Sequence, residues 1–469
     1  MATASNGCSH LVLPPELWHK IIRSLAREDQ RTCFQLSRFF HDIAQHLLFR
    51  HVTIYFGVHF DVSPADRLTA QQMTARSEQA ERTREILRHI GRNIEFAQIV
   101  RTITVRARAH SRLNPDIRIL EDAFKCLSDL ESFTWIGLRP PLPPVLWEHL
   151  VKGSGHTIVS LRIPVSYYTD LPLPCFTNIR RLELDGDDDM PTAVAHDAVV
   201  AADSDMLCEL TLRGPALLIH PPVVPLLYHG SSLQSLSIVL SFPSFHAHGD
   251  ADPVLSIFGN SPAILPNLTS FKLLVSAKAS REAVVALSSF LEDKGRLVRL
   301  DISVMLHMHH LSGLRPVLEL LPELPQLRTL GMHLDCGGKF AQDDLRALDE
   351  YLPVGLSNLM LCMESYWGTA TQPQDWLGML QRRHLRYLHF LGIQFDKRIY
   401  DINEILLEHI GSLQLVGCDA VLRRVERDAY SGTPVYAPPL RDEEIANLEC
   451  EDWAWLLQEK PLDSLWNIA

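Results

Sequence analysis

The chain has 469 residues, of which 46% are hydrophobic and 21% charged, a composition typical of a folded protein and not of a disordered one. Its 44 Lys and Arg against 56 Asp and Glu give a formal net charge of −12, which argues against general binding to nucleic acids or anionic membrane surfaces. A chain of this length exceeds one ordinary core, so we expect several domains or one elongated array.

The cysteines and the apolar runs indicate the cellular compartment in which the protein is expected. Nine cysteines without a C-x-x-C pair favour reduced core residues over a disulfide framework or a zinc module. The sequence shows no secretory signal and no apolar run of the roughly 18 residues that span a bilayer. We therefore expect a protein of the cytoplasm or nucleus, or both, without cofactors.

Residues 11–54 have the pattern of three short helices. Pro14 and Pro15 suit a first helical turn, and apolar side chains then recur at helical spacing. The three apolar sets are Leu17, Ile21, Ile22 and Leu25; Cys33, Phe34 and Leu36; and Phe39, Phe40, Ile43, Leu47 and Leu48. About forty residues bury too little apolar surface to be comfortably stable alone, so one face should pack on the remaining chain or on another protein.

The order LPPELWHKII, CFQLSRFF and LLFRHVTI resembles the F-box, the adaptor-binding motif of Skp–cullin–F-box ubiquitin ligases. The resemblance implies a three-helix F-box that docks on a Skp-type adaptor and, through it, on cullin. By position it assigns the adaptor contacts to Leu13, Pro14, Leu17, Ile21, Leu25, Cys33, Leu36 and Phe40. The family usually has Trp in its third helix, where this chain has Phe39 or Phe40. The alternative is that these helices only cap an array of repeats.

Residues 51–56, HVTIYF, have the alternation of a strand. Residues 55–98 then form a polar, Arg- and Glu-rich segment with few apolar contacts. This composition predicts a mostly helical connector with a solvated face.

From Val100 onward one motif recurs, in which three apolar residues are separated by two residues and then by one. Its twelve copies begin about 28 residues apart on average, at Val100, Leu130, Ile158, Ile179, Leu207, Leu233, Leu268, Leu297, Leu327, Leu356, Leu385 and Ile410. Each copy predicts a short strand, and the intervals are long enough for the crossover that parallel strands need. Predicted crossover helices include residues 143–152, 281–294, 342–352 and 403–409.

This recurrence resembles leucine-rich repeats, and together with the N-terminal motif it resembles the F-box and leucine-rich-repeat proteins of fungi. The implied fold is α/β, with an F-box at 11–54, a connector at 55–98, an irregular solenoid with parallel strands on its concave face at 99–422, and a C-terminal cap or tail at 423–469. The Asn or Cys usual after the third apolar position is mostly replaced, in several copies by glycine (Gly137, Gly186, Gly214, Gly392 and Gly417). We expect this tail, which includes a predicted acidic helix at 442–460, to cap the last repeat.

Catalytic motifs are absent: the sequence contains no G-x-x-x-x-G-K-[ST], H-E-x-x-H or G-x-S-x-G. We therefore expect a binding protein and not an enzyme. The concave side of a solenoid is its usual binding face. Candidate target-binding residues on it are Arg162, Glu183, Arg213, Lys272, Arg299, Asp301 and Tyr387, and later copies are more apolar, with Met360, Leu391 and Val416. The alternative is that the chain's own tail covers the apolar half.

A basic cluster offers a second recognition hypothesis. Arg101, Arg106, Arg108, Arg112 and Arg118 could read a phosphorylated segment, although a solvated edge is the simpler interpretation.

The resemblance implies the substrate-receptor subunit of a Skp–cullin–F-box ubiquitin ligase, which holds an adaptor at its N-terminus and an unknown target protein on its repeats. The alternative function is a repeat scaffold for protein–protein interaction without a role in ubiquitin transfer.

Overall fold

A computed structural model describes seventeen stretches of the chain. They are residues 13–56, 70–107, 115–137, 142–164, 175–186, 206–214, 226–228, 230–240, 252–261, 263–306, 311–335, 340–364, 373–392, 409–428, 430–441, 444–445 and 448–458. These residues fall into two compact units, one extending to Pro164 and including Cys175–Ile179, the other beginning at Arg180. The division lies within the predicted repeat region.

The first unit begins with three short helices, α1 (Pro15–Ser24), α2 (Arg27–Leu36) and α3 (Arg38–Phe49). Pro15 occupies the first turn of α1, where its missing N–H costs nothing. Ser37 ends α2 and caps α3 by accepting a hydrogen bond from the backbone N–H of Phe40 at 3.3 Å. Ile22 of α1 and Ala44 and Leu48 of α3 are buried, whereas α2 contributes only partly buried side chains such as Cys33 and Phe34.

Four strands and four further helices complete the first unit. The strands are β1 (His51–Phe56), β2 (Thr102–Ala107), β3 (Ser132–Ile136) and β4 (Ser160–Pro164); the helices are α4 (Ala70–Arg92), α5 (Ile94–Ala97), α6 (Pro115–Cys126) and α7 (Pro144–Ser154). Each strand pairs in parallel with the next. The predicted strand at 51–56 is therefore the first member of the parallel ladder and not part of a separate connector.

Eleven strands are described in the second unit. They are β5 (Arg181–Asp185), β6 (Glu209–Arg213), β7 (Ser235–Leu240), β8 (Ser270–Ala279), β9 (Arg299–Leu306), β10 (Thr329–Asp335), β11 (Asn358–Glu364), β12 (Tyr387–Leu391), β13 (Leu415–Cys418), β14 (Val421–Arg427) and β15 (Pro434–Pro439). The strands from β5 to β13 form a continuous parallel ladder. This mixed α/β arrangement with a long parallel sheet is consistent with a leucine-rich-repeat-like solenoid.

Apart from the last one, the described helices of the second unit lie on one face of its sheet. They are α8 (Asp252–Asn260), α9 (Arg281–Glu292), α10 (Arg315–Leu320), α11 (Gln342–Tyr351), α12 (Pro373–Gln381) and α13 (Glu451–Leu457), with short 3₁₀ turns at Leu311–Gly313 and Leu321–Glu323. Phe258 of α8 and Phe290 of α9 pack on Phe271 of β8, with ring centroids 5.6 and 5.5 Å apart. Among the described helices, α13 departs from this arrangement, because it contacts Lys272 and Asn358 on the opposite face.

The strand register agrees with the predicted motif except in its last copy. Leu300, Leu330, Leu359 and Leu388 occupy equivalent positions in successive strands and are all fully buried. The next equivalent residue is Val416, so the final copy is Leu413-Val416-Cys418. The expectation that it begins at Ile410 is wrong by three residues, because Ile410, Leu413 and Leu415 happen to have the same spacing.

Glycines at the ends of the strands replace the missing Asn or Cys. Gly137 has a φ of 118°, and an added Cβ would lie 1.8 Å from the carbonyl oxygen of Ala107 in the preceding repeat. Gly214 has a φ of 97°, and its N–H donates to the carbonyl of Val239 at 2.9 Å. Backbone groups therefore satisfy one another from repeat to repeat at positions where a side-chain amide was expected.

The chain after β13 differs from the sequence-based expectation. Residues 421–439 form an antiparallel hairpin, β14 and β15, that adds two strands to the end of the parallel ladder. The predicted helix at 442–460 is described only as α13 and as a short helical piece at 444–445; residues 448–450 are not helical. The hairpin, and not the tail helix, occupies the edge of the last repeat.

Two further observations concern membrane-spanning helices and the cysteine thiols. Within the described stretches, no helix combines the length and apolar character needed to cross a membrane. The seven described cysteines are free thiols, and burial raises the pKa of Cys418 to about 11, which keeps that thiol protonated.

Candidate functional site

The N-terminal helices expose a set of large apolar side chains. Leu17 and Ile21 lie four residues apart on one face of α1 and are 42 and 41% exposed, and Leu13, two residues before the helix begins, is 36% exposed. Leu36 at the end of α2 is 64% exposed, and Phe39 in the first turn of α3 is 43% exposed. We call these five residues the docking patch.

Three of the four remaining predicted adaptor contacts are less accessible. Pro14 is exposed, whereas Leu25, Cys33 and Phe40 are half-buried. Phe40 packs edge-on against Trp18, with ring centroids 5.0 Å apart, and thereby fastens α3 to α1. Of the two phenylalanines that the sequence left open, Phe39 is the exposed one and Phe40 is mainly structural.

The sheet face opposite the helices of the second unit changes character along the ladder. In one row of equivalent positions, Glu183, Thr211, Ser237, Lys272 and Asp301 lie on β5 to β9. The same row continues on β10 to β13 as Gly331, Met360, His389 and Gly417. The face is thus charged and hydroxyl-rich over its first half, and small or apolar over its second half.

The tail helix α13 covers this second half. The indole Nε1 of Trp453 donates to Asn358 Oδ1 on β11 at 2.9 Å. Asp452 accepts from Arg299 Nε on β9 at 2.6 Å and from Asn358 Nδ2 at 3.3 Å. Polar contacts therefore attach the helix to strands on both sides of β10.

Lys272 holds the other end of the tail helix. Its side chain is almost fully buried, and its Nζ donates to the carbonyl oxygens of Trp455 and, at 2.8 Å, Gln458. The same Nζ lies 3.4 Å from the buried carboxylate of Asp301 and 4.6 Å from the ring centroid of Trp455. A cation at the last carbonyls of a helix satisfies acceptors that have no partner within the helix.

An apolar cluster fills the space between the tail helix and the sheet. Tyr387, predicted to bind a target, is fully buried there beside Trp453, and its hydroxyl is hydrogen-bonded to His389 Nδ1 at 2.8 Å. Burial raises the pKa of Tyr387, and the charge of Asp301 adds to the effect. The other buried members of the cluster include Met360, Leu391, Leu415, Leu422 and Leu456. Tyr387 and Asp301 are therefore internal residues under the tail.

The first half of the sheet face forms a groove of about 750 Å³ beside the tail helix. We call it the polar groove. Its floor comes from strands β5 to β9, and Ile445 and α13 supply one wall. Three of the predicted target-binding residues line it: Glu183, Lys272 and Arg299.

Arg213 and Arg162 do not line this groove. Arg213 is half-buried at the end of β6, where its Nη1 donates to Glu183 at 2.8 Å and to Asp185 at 3.1 Å. Arg162 lies on β4 in the first compact unit and is half-buried.

Residues that the sequence interpretation missed explain where the tail binds. At Gly331, an added Cβ would lie 2.3 Å from Asp301 Oδ1 and 3.1 Å from Leu456 of the tail helix. At Gly417, it would lie 2.4 Å from the ring of His389. Glycine inside a strand marks a close approach of other groups, so Gly331 was a usable signal that another element covers the second half of the face.

The basic cluster is only partly described. Arg101 lies 3.6 Å from Asp129 and 3.9 Å from Glu131, and Arg106 lies 6.0 Å from the ring centroid of Tyr55. Arg118 is exposed on α6, whereas Arg108 and Arg112 lie outside the described residues. In the described part of the chain, no three His, Cys, Asp or Glu side chains lie together so that they could hold a metal ion.

Comparisons with known proteins find distant likenesses among solved structures. No protein-family model matches the sequence, and no curated protein matches it. Among solved structures, the chain is similar to the crystal structure of the Rad7 and Elc1 complex in yeast, with 14% sequence identity and a TM-score of 0.39. The match covers 82% of this chain and 88% of that chain. We draw no functional conclusion from a likeness of this size.

Proposed function

We propose that the chain is the substrate-receptor subunit of a Skp–cullin–F-box ubiquitin ligase, with the docking patch as its adaptor-binding surface. The observation that carries the proposal is the exposure of Leu13, Leu17, Ile21, Leu36 and Phe39 on three short helices with an F-box-like sequence. Large apolar side chains grouped at a surface mark sites of protein interaction.

The exposed apolar surface of the docking patch limits the binding free energy that its burial can contribute. Fully burying one such side chain contributes about 1.5–3 kcal/mol, and the exposed fractions leave about 3–7 kcal/mol to be gained over all five. Association costs an estimated 4–15 kcal/mol, so the patch needs polar and peripheral contacts in addition. We therefore expect the complex to be sensitive to the loss of any two apolar anchors.

In this proposal the chain performs no chemistry. It holds a target protein on the open part of the second unit and an adaptor on the N-terminal helices, which raises the concentration of target lysines near the ubiquitin-charged enzyme. Such a complex would operate in the cytoplasm or nucleus.

The test is capture of a purified Skp-type adaptor by the tagged full-length chain. Leu17→Asp with Ile21→Asp should weaken capture about 100-fold or more, because each aspartate would be buried without a partner. The matched control is Val285→Asp with Val354→Asp, two apolar residues that are 45 and 72% exposed outside the patch. Unchanged capture by the Leu17 and Ile21 variant would exclude the docking patch as the adaptor site.

The alternative, a scaffold without ubiquitin transfer, differs in one further partner. A ligase subunit should retain cullin together with the adaptor, and the docking-patch variant should lose both. Capture of the adaptor without cullin would favour the scaffold.

A further inference from the structure

We propose that the polar groove binds one extended, uncharged polar segment of a target protein, in its unphosphorylated form. This inference rests on the proposed function, because it names the chemistry of the target that the receptor would hold. Four features of the groove support it: its paired charges, its hydroxyl-lined floor, its dimensions and its apolar wall.

The charged side chains of the groove already have partners of opposite sign. Arg181 Nε donates to Glu209 at 2.6 Å, and Arg299 Nε donates to Asp452 at 2.6 Å. Lys272 lies beside Asp301. A phosphate group would have to break one of these ion pairs to obtain a cation, and it would meet the displaced carboxylate. The groove therefore favours a neutral ligand.

The floor between these ion pairs consists of short hydroxyl side chains. Thr211, Ser235, Ser237 and Ser270 lie on three adjacent strands and leave a depression between longer charged neighbours. Ser237 is only 9% exposed, and its Oγ has no hydrogen-bond partner within the described part of the chain. A buried hydroxyl without a partner is unfavourable, and a ligand amide or hydroxyl would supply that partner.

The dimensions match a single polypeptide strand. Adjacent strands lie about 4.8 Å apart, so the four spacings from β5 to β9 give a length of about 19 Å. The volume of about 750 Å³ then corresponds to a cross-section of about 40 Å². One extended chain in stacked sheets occupies about 48 Å², the product of the strand spacing and a sheet separation of about 10 Å. The groove therefore accommodates about six extended residues.

The tail helix makes one wall of the groove apolar. Ala454, Trp455, Leu457 and the nearby Ile445 line this side, and Trp455 is half-buried with its ring against Lys272. A bound segment would thus pair polar side chains with the floor and place an apolar side chain against this wall. The tail helix takes part in recognition as a wall and does not fill the groove.

The experiment selects ligands from a phage-displayed library of random heptapeptides on the full-length chain. Selected peptides should have net charge near zero, be rich in Ser, Thr, Asn and Gln, and carry an apolar residue. The synthetic peptides should bind Thr211→Arg about tenfold more weakly than the unaltered chain. Thr433→Arg, at an exposed hairpin turn outside the groove, should bind as the unaltered chain does. Ser237→Arg provides a second groove variant, and circular dichroism verifies that each variant is folded.

Phosphorylation supplies the decisive comparison. A phosphoserine placed in a selected peptide should weaken its binding, because the groove offers no uncompensated cation. Tighter binding of the phosphopeptide, equal binding by Thr211→Arg, or failure to select any peptide would each overturn the proposal. Adaptor capture is measured on the unaltered chain and on the same Thr211→Arg preparation. If both capture the adaptor but no selected peptide depends on the groove, the proposal for the polar groove is refuted and the proposed function is not. If the unaltered chain fails to capture the adaptor, the proposed function is refuted.

Discussion

At the scale of single residues, Lys272 and Asp301 form a buried ion pair in the second unit. Both side chains are almost fully buried, at 1 and 0% exposure. A buried charge is tolerated only when it is paired and hydrogen-bonded. Here the ammonium meets that requirement through Asp301 and the last carbonyls of the tail helix, so one lysine links a strand, its neighbour and the tail.

Replacing Lys272 by Met should destabilise the second unit by about 3–5 kcal/mol, because Asp301 would remain buried without its counter-charge. The double variant Lys272→Met with Asp301→Asn should recover a large part of this loss. Urea denaturation at pH 7 measures both changes. A double variant no more stable than the single one would contradict the assignment of the loss to an uncompensated carboxylate.

Asp419 provides a prediction about pH. It lies in the tight turn between β13 and β14 with a φ of 52°, and its Oδ1 accepts from the N–H of Gly392 at 2.8 Å. Burial raises its pKa, and the hydrogen bond from Gly392 opposes the shift only in part. A carboxyl with a raised folded-state pKa favours the fold while protonated and loses that contribution as pH rises through the raised value.

Asp419→Asn should therefore have a higher Tm than the unaltered chain at pH 7, and the difference should shrink toward pH 4. Asparagine is neutral, keeps the acceptor oxygen and tolerates positive φ. Asp419→Ala, which loses the acceptor and is strained at this φ, should have a lower Tm at both pH values. Thermal scans across this range measure the differences, and a constant gap between the Asn variant and the unaltered chain would refute the electrostatic origin.

At the scale of elements, the tail helix exists because of its packing. Seven residues are far fewer than the roughly 12–15 that make an isolated helix even marginally stable in water. Trp453, Leu456 and Leu457 are buried against the sheet. The sheet face beneath the helix accommodates it at two positions. Gly331 has no side chain and lets Leu456 approach the strand closely, and Asn358 accepts the hydrogen bond from the indole of Trp453.

Trp453→Ala should cost about 3–5 kcal/mol, because it leaves a large cavity in the apolar cluster. Trp453→Phe should cost about 1–3 kcal/mol, because it keeps most of the apolar contact and leaves only Asn358 Oδ1 without its donor. Hydrogen exchange of residues 451–458 should increase in the same order. Equal effects of the two substitutions would show that the indole hydrogen bond, and not the burial, holds the helix.

At the scale of the whole molecule, the repeats determine how far the destabilising effect of a mutation extends along the sheet. Within the second unit, each strand from β6 to β12 pairs only with its two neighbours, so most stabilising contacts are local to adjacent repeats. Stability in such arrays is close to a sum of repeat terms and nearest-neighbour interfaces.

Leu330→Ala on β10 should cost about 2–5 kcal/mol and should raise hydrogen exchange mainly in β9, β10 and β11. Strands β5 and β6 should retain their protection. Val354→Ala, at a residue that is 72% exposed, is the control and should change neither quantity. A uniform rise in exchange over the whole second unit would instead indicate a single cooperative core.

Several parts of this architecture were accessible from the sequence. The N-terminal helices and eleven of the twelve repeat strands follow from apolar periodicity, because each motif lies within a few consecutive residues and each repeat must bury the same face. Leu17 and Ile21 were assigned as adaptor contacts by the resemblance to the F-box, and the structure places both at the surface. Choosing between Phe39 and Phe40, or between Ile410 and Leu413 as the start of the last copy, required knowing which neighbour each residue packs against.

Only the tertiary structure decided how the binding face is divided. The contact between Lys272 and the tail joins residues 183 positions apart, and the contact between Asn358 and Trp453 joins residues 95 positions apart. No local pattern encodes such pairings, because the short tail helix acquires its position from a surface assembled by many strands. The sequence by itself determined that repeated strands would present a face, and long-range packing decided that the chain covers half of it and leaves the polar groove beside its own tail.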